Sequence, residues 1–240
     1  MIARPLAGRH VVTTRLGPGR LDTLLAALGA DAVNIPLIAI EDPADGGAAL
    51  RSSLGRLDDA EWLVVTSRHG AEAVGHAAAL HPALRLAAVG SNTAAFLARL
   101  AGRPVDIVPK RQTASELVAA MPPGTGSVVV AQADRADASV GDGLRRLGYR
   151  IEVVTAYRTI LREPNAAERR AAQRADAVAF ASGSAVESWV AAFGSATSPA
   201  VIAIGPTTAD VARRAGLQVA GVAADHDVEG LVDAIMAVLA

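Results

Sequence analysis

Short β-branched runs alternate with Ala/Leu-rich stretches of helical period along the whole chain. The apolar runs predict strands at His10–Thr14, Ala32–Ile40, Trp62–Thr66, Leu86–Val89, Val105–Val108, Val128–Ala131, Ile151–Ile160, Ala177–Ala181, Val201–Ile204 and Gln218–Val222. The periodic stretches predict helices near Leu21–Leu28, Gly47–Arg56, Gly70–Ala79, Thr93–Ala101, Ala114–Met121, Val140–Leu147, Ala166–Arg174, Ser184–Phe193, Thr207–Ala215 and Val228–Leu239. Continuous Val/Ile runs suit strands covered on both faces, so the alternation predicts an α/β chain with parallel sheets between helical layers. Gly29, Gly102, Gly148 and Gly216 each follow a helix and precede a strand, where a C-cap requires positive φ.

Part of this pattern occurs twice. WLVVTSRHGAEAV followed by LAAVGSNTAAFLARL, within Trp62–Leu100, is matched 115 positions later by AVAFASGSAVESWV followed by VIAIGPTTADVARRA. Ser67 and Ser182, Gly90 and Gly205, and Thr93 and Thr208 all share that offset. A weaker similarity links VVTTRLGPGRLDTLLAALGADAVNIPLI with VVVAQADRADASVGDGLRRLGYRIEVVTAYRT, each reading strand, polar turn, helix, Gly and a long strand. The repeat implies two similar lobes that present hydroxyls and bare amides at strand ends. Two such faces turned together would form a cleft for a large, polyanionic, non-nucleotide ligand. The long strands read as paired connectors with Pro36 near the crossing. On that reading residues 1–36 with 160–240 form a discontinuous lobe, residues 40–155 an inserted lobe, and 36–40 with 155–160 the connectors. The competing arrangement splits the chain near Ala120–Gly126, where MPPGTG resembles a linker.

Composition narrows the chemistry. The chain has 240 residues, 51% hydrophobic but only 3% aromatic, so its core must be built from Ala, Val, Leu and Ile. The net charge of −1 and the absence of a basic stripe argue against nucleic-acid binding. Without cysteine there is no disulfide, iron–sulfur cluster or thiolate metal site, which is consistent with a cytoplasmic protein. The start MIARPLAGRHVVTTR has no long apolar run, so neither a signal peptide nor a membrane span is expected. Phosphate-binding loops, HExxH and GxSxG are missing, and the five histidines are scattered, so no metal is expected.

What remains lies at the carboxyl ends of strands, where open α/β sheets bind ligands. Thr14-Arg15 closes the first strand, Thr66-Ser67-Arg68 another, and Ser182-Gly183-Ser184 the matching strand of the repeat. Gly90 with Thr93, and Gly205-Pro206-Thr207-Thr208, pass from strand to helix start, where unpaired N–H groups and about half a positive charge can hold a carboxylate. Taken singly, each Ser or Thr is better explained as a helix cap, whereas five such strand ends together favour binding, and a cap can do both. Arg15 and Arg68 offer bidentate pairing to carboxylates, although an arginine after a strand is commonly just solvated. Tyr157, in the connector, is placed either to donate a proton or to pack over a hinge.

In order and spacing these marks resemble the uroporphyrinogen-III synthase family over essentially the whole chain. The residues are Thr14-Arg15, Gly29, Asn34-Ile35-Pro36-Leu37-Ile38, Trp62–Ser67, Ala88-Val89-Gly90 with Thr93-Ala94, Tyr157-Arg158-Thr159, Ile204–Ala209, Gly216 and Gly230-Leu231. The resemblance implies two flavodoxin-like parallel-sheet lobes joined by a two-stranded β connector, with the active site in the cleft between them. It implies cofactor-free cyclisation of the linear tetrapyrrole hydroxymethylbilane, with ring-D inversion, to uroporphyrinogen III in heme biosynthesis. The enzyme would act as a monomer without nucleic acid or membrane. Tyr157 is then the candidate catalytic residue, assisting loss of the ring-A hydroxyl. Arg15, Thr66, Ser67, Arg68, Gly90, Thr93, Ser182, Gly183, Ser184, Gly205, Pro206, Thr207 and Thr208 are the candidate substrate-binding residues. Two positions depart from the family's pattern: Ala181-Ser182-Gly183-Ser184 replaces a common Thr-Ser-Pro-Ser, and Gln132 stands where a basic residue is common. A non-catalytic two-lobed ligand-binding or regulatory paralogue, using the same residues without turnover, is the alternative.

Overall fold

The computed structural model describes residues 4–197 and 199–240, which form ten strands and ten α-helices. The strands are β1 (His10–Thr13), β2 (Asp31–Asn34), β3 (Ile38–Glu41), β4 (Trp62–Val65), β5 (Arg85–Ala88), β6 (Ser127–Ala133), β7 (Arg150–Leu161), β8 (Ala177–Phe180), β9 (Ala200–Ala203) and β10 (Val219–Val222). The helices are α1 (Arg20–Ala27), α2 (Ala48–Leu54), α3 (Arg68–Ala79), α4 (Ser91–Ala101), α5 (Ala114–Ala120), α6 (Ser139–Arg146), α7 (Ala166–Arg174), α8 (Gly183–Phe193), α9 (Pro206–Arg214) and α10 (Val228–Leu239). Among the described residues no helix is long and apolar enough to cross a membrane.

The chain divides into two compact units. The first comprises residues up to Ala39 together with Ile160–Ala240, the second Ile40–Thr159. The first unit's sheet runs β10-β9-β8-β1-β2, the second's β3-β7-β6-β4-β5. Within the first, β1–β2, β1–β8, β8–β9 and β9–β10 all pair parallel. Within the second, β4–β5, β4–β6 and β6–β7 do the same.

The continuous apolar runs are explained by burial on both faces. In the first unit Val11, Ala179 and Ile202 meet Leu21 and Leu25 of α1 and Leu231 and Ile235 of α10. On the other face Val12, Val178 and Phe180 meet Ala172, Trp189 and Ala212 of α7, α8 and α9. In the second unit Leu63, Val65 and Val129 meet α3 and α4, while Val64, Val128 and Val130 meet α5 and α6. Few aromatics suffice because small residues let helices approach closely. A Cβ on Gly75 of α3 would lie 2.5 Å from Leu100 of α4.

The sequence repeat acquires a definite meaning in these sheets. β4–α3–β5–α4 and β8–α8–β9–α9 are the same block, and both strand pairs keep one register (Trp62 opposite Arg85, Ala177 opposite Ala200). The weaker similarity likewise maps β1–α1–β2 onto β6–α6–β7. Each sheet therefore sets one block of each kind side by side, β5-β4 against β6-β7 and β9-β8 against β1-β2. In chain order, however, the two kinds are exchanged. The units are related as circular permutants, and neither is a simple copy of the other.

Three elements differ from the sequence reading. The expected strand Ala32–Ile40 is broken into β2 and β3, because Pro36 has no N–H for a ladder and Ile35 and Leu37 turn inward to full burial. Val105–Val108 forms no strand. Between Pro104 and Pro109 only a single bridge joins Ile107 to Ala87, and the Asp106 carboxylate accepts the Leu86 N–H at 2.7 Å. The strand at Ile151–Ile160 is longer, Arg150–Leu161, and carries a register shift just before Tyr157. The four C-terminal glycines do take positive φ, from +68° to +101°. At Gly148 the constraint is double, since a Cβ would also lie 2.8 Å from the Gly124 carbonyl oxygen.

Helix starts are secured by local bonds. Ser67 Oγ accepts from Gly70 N at 3.0 Å, and its repeat counterpart Ser182 Oγ accepts from Ala185 N at 3.2 Å. Asn165 caps α7 by accepting from Ala167 N and Glu168 N, and Glu168 Oε2 accepts from Asn165 N at 2.7 Å. Arg162 ties this cap to the preceding chain by donating to Glu168 Oε1 at 2.7 Å and to the Pro36 carbonyl at 2.6 Å. Burial alone would raise the Glu168 pKa, but the bonds from Arg162 and Asn165 N hold the carboxyl below its ordinary value. Its contribution to stability is thus complete above the unfolded carboxylate value of about 4.3 and lost as pH falls through the lower folded value.

Glu168→Gln should lower the urea midpoint at pH 7, and the gap to wild type should close at pH 3; a gap independent of pH would contradict the assignment. Ser67→Ala and Ser182→Ala should each cost about 1 kcal/mol in urea unfolding. Values within about 0.2 kcal/mol of zero, on the scale of about 1 kcal/mol for a lost cap, would show that the caps are not stabilising.

Candidate functional site

In each sheet the chain leaves the centre in both directions, from β1 to β2 and from β8 to β9 in the first unit. The carboxyl ends of β1 and β8 are adjacent, yet no crossover covers the gap between them. Such a switch point is the usual ligand crevice of open α/β sheets. Here it holds a cavity of about 490 Å³. One wall is the loop Thr14–Gly17, the opposite wall is Ala181, Ser182 and Ser184, and Leu37, Ile38 and Ile204 supply apolar surface. Thr14 is buried and Arg15 exposed, and the Arg15 guanidinium has no ion-pair partner among the described residues. Ser182 and Ser184 hydroxyls lie 3.0 Å apart at the start of α8.

The candidates at α9 sit beside this cavity, directly after Ile204. Gly205 is the N-cap and Pro206 the first helical residue, where its missing N–H costs nothing. Pro206 and Thr207 are exposed, whereas Thr208 is buried. A Cβ on Gly205 would lie 3.1 Å from the His226 ring, so the glycine lets that imidazole lie against the helix start. Gly183 does not line the cavity; a Cβ there would meet Val211 of α9 at 3.0 Å.

The second unit places its candidates at the carboxyl ends of β4 and β5. Thr66 and Ser67 are half-buried, and the Arg68 guanidinium lies 4.7 Å from the centre of the Phe96 ring. Gly90 caps α4 and is covered by Gln112, whose Oε1 accepts from Ser91 N at 3.3 Å, while Thr93 is buried one turn on. At the second switch point, between β4 and β6, Gln132 is only 8% exposed. Beyond β6, Asp137 is held below its ordinary pKa by the Ser139 hydroxyl and N–H. Tyr157 follows the irregularity in β7, where Ala133 pairs with Tyr157 although Gln132 pairs with Thr155. That extra residue turns Tyr157 onto the same core as Val154 and Ala156, and its ring lies 5.3 Å from His69 of α3.

The fold thus gathers Arg15, Ser182 and Ser184 around one cavity in the first unit, with Gly205–Thr208 next to it. Thr66, Ser67, Arg68, Gly90, Thr93 and Tyr157 belong to the second unit. Sequence reasoning missed Ser188, a buried polar residue lining the cavity, and the helix-start neighbours Gln112 and His226. Ser188 read as an ordinary helical serine, and no local signal marks the other two. A larger hollow of about 640 Å³ lies at the amino ends of β9 and β10, but it has no charged lining residue. No group of three His, Asp or Glu side chains is placed to hold a metal ion among the described residues.

Comparison with known proteins agrees in fold and family. The chain resembles a crystal structure of a mutant uroporphyrinogen III synthase from Thermus thermophilus, with a TM-score of 0.60 and 20% identity over 97% of this chain and 99% of that one. It also resembles uroporphyrinogen-III synthetase from Helicobacter pylori, with a TM-score of 0.67 and 16% identity over 95% and 99% of the two chains. A comparison with curated proteins finds no match. The family model described as uroporphyrinogen-III synthase HemD matches residues 19–233, nearly the full length, and so the chain belongs to the uroporphyrinogen-III synthase family.

Proposed function

We propose that this chain cyclises hydroxymethylbilane, with inversion of ring D, to uroporphyrinogen III, needing no cofactor. The observation that carries the reading is the family match over residues 19–233. The switch-point cavity supports it, since hydroxyls, helix starts and an unpaired Arg15 suit a ligand with carboxylates on every ring. The binding set is Arg15, Thr66, Ser67, Arg68, Gly90, Thr93, Ser182, Gly183, Ser184, Gly205, Pro206, Thr207 and Thr208. The lobes are residues 1–36 with 160–240 and residues 40–155, joined by the strand segments 36–40 and 155–160. The chain works as a cytoplasmic monomer.

The chemistry asks little of a nucleophile. Proton transfer to the ring-A hydroxyl lets its C–O bond break with loss of water, leaving an azafulvene cation. Ring D attacks through its substituted carbon to give a spiro-pyrrolenine, which fragments and recloses, and the proton lost from the final ring balances the one consumed. Tyr157, half-buried and turned by the strand irregularity, is the group that donates to the departing hydroxyl. Unassisted closure gives the type I isomer, so the enzyme's main task is conformational: it holds the rings where the spiro route is the shorter one.

Supplied with hydroxymethylbilane from a coupled source, the purified chain should give predominantly type III isomer; type I alone would refute the activity. Tyr157→Phe should lower kcat by about 10²-fold with an unchanged melting temperature. Unaltered kcat would leave Tyr157 as a packing residue, with positioning the principal catalytic effect.

A further inference from the structure

The loop that carries Arg15 is held from beneath by three polar side chains. Thr13, the last residue of β1 and 1% exposed, donates its hydroxyl to Asp22 Oδ1 at 2.6 Å. The other carboxylate oxygen of Asp22 accepts from Gly19 N at 2.7 Å and so fixes the far end of the loop. Asn34, directly opposite Thr13 in the β1–β2 ladder, donates from Nδ2 to Thr13 Oγ1 at 3.1 Å and to the Arg15 carbonyl at 3.1 Å. Hydrogen bonds therefore pin the loop at its start, at Arg15 and at Gly19. All of them use side chains, although a backbone ladder alone would have satisfied the strands.

We infer that Asn34, with Thr13 and Asp22 behind it, is a positioning residue that presets Arg15 for a substrate carboxylate at the cavity mouth. An exposed arginine loses about 2 kcal/mol of rotamer freedom when it is held, and a mobile backbone would add to that cost on binding. Fixing the Arg15 carbonyl removes the backbone share before the ligand arrives. The donor pattern admits no other polarity. The Thr13 hydroxyl hydrogen is committed to Asp22, so its lone pair can only receive the Asn34 amide, whose second hydrogen reaches Arg15. This inference rests on the bilane being the substrate.

The test compares five variants by KM and kcat for hydroxymethylbilane, with melting temperature as the control of fold. Asn34→Leu removes the donor without placing a new charge beside Arg15, and Thr13→Val removes the relay at constant shape. Each should raise KM roughly tenfold, with kcat within about twofold of wild type. Thr13→Ser, which keeps the hydroxyl, should restore the wild-type KM. In an Arg15→Ala background, Asn34→Leu should raise KM no further, because its effect acts through Arg15. Unchanged KM in Asn34→Leu, or an equal rise with and without Arg15, overturns the inference while wild-type type III output leaves the activity standing. Wild type yielding only type I isomer overturns the activity and this inference with it.

Discussion

Everything functional in this chain depends on how right-handed crossovers must be wound around sheets buried on both faces. A parallel sheet covered by two helical layers has no polar surface to spare within its strands, so polar side chains are driven to the strand ends. When crossovers leave the central strands in opposite directions, the carboxyl ends there have no loop above them. The crevice between β1 and β8 is thus a consequence of topology, and Val, Ala and Ile along the strands only make that topology stable. Polar residues accordingly follow β1, β8, β4 and β6 directly, and their neighbours β5 and β9 as well.

The means of holding an anion at such a place are modest and geometric. Helix starts offer N–H groups and a partial charge, hydroxyls offer donors, and Arg15 is the single cation among the residues lining the first unit's cavity. A charged hydrogen bond contributes about 1.5–3 kcal/mol when well aligned and far less when both partners must be ordered first. Placement therefore decides affinity more than charge does. That is why three buried or half-buried polar side chains serve a loop of only a few residues.

The sheets and helices were legible in the chain because each carries its own local signature. Gly29, Gly102, Gly148 and Gly216 mark helix ends by a backbone conformation that other residues avoid, and all four have positive φ. Ala32–Ile40 misled because its apolar run continues across Pro36, and hydrophobicity does not say which sheet a residue joins. Val105–Val108 misled because β-branched residues between two prolines have strand composition without strand hydrogen bonds. The Tyr157 irregularity was invisible for a different reason: an unpaired residue exists only relative to β6, and its effect is to reverse which face the tyrosine takes. In sequence Asn34 is only a polar position inside the expected strand Ala32–Ile40. Its partners lie about twenty residues away, chosen by the β1–β2 register and by no local pattern.

The exchanged blocks also explain why the two switch points differ. The repeat pairs Arg68 with Gly183, and the weaker similarity pairs Arg15 with Gln132. At these paired positions each switch point has one arginine, on opposite flanks. The paired positions also differ in their surroundings. A side chain at 183 would press on Val211, where α8 and α9 close on one another, whereas Arg68 has space to lie over Phe96. Position 132 is nearly buried, whereas Arg15 stands exposed at a cavity mouth. A duplicated scaffold has in this way become two units with unlike strand ends. The first unit presents an exposed arginine on a hydrogen-bonded loop and an open cavity. The second presents Tyr157 beside His69 and keeps its own arginine occupied by an aromatic ring.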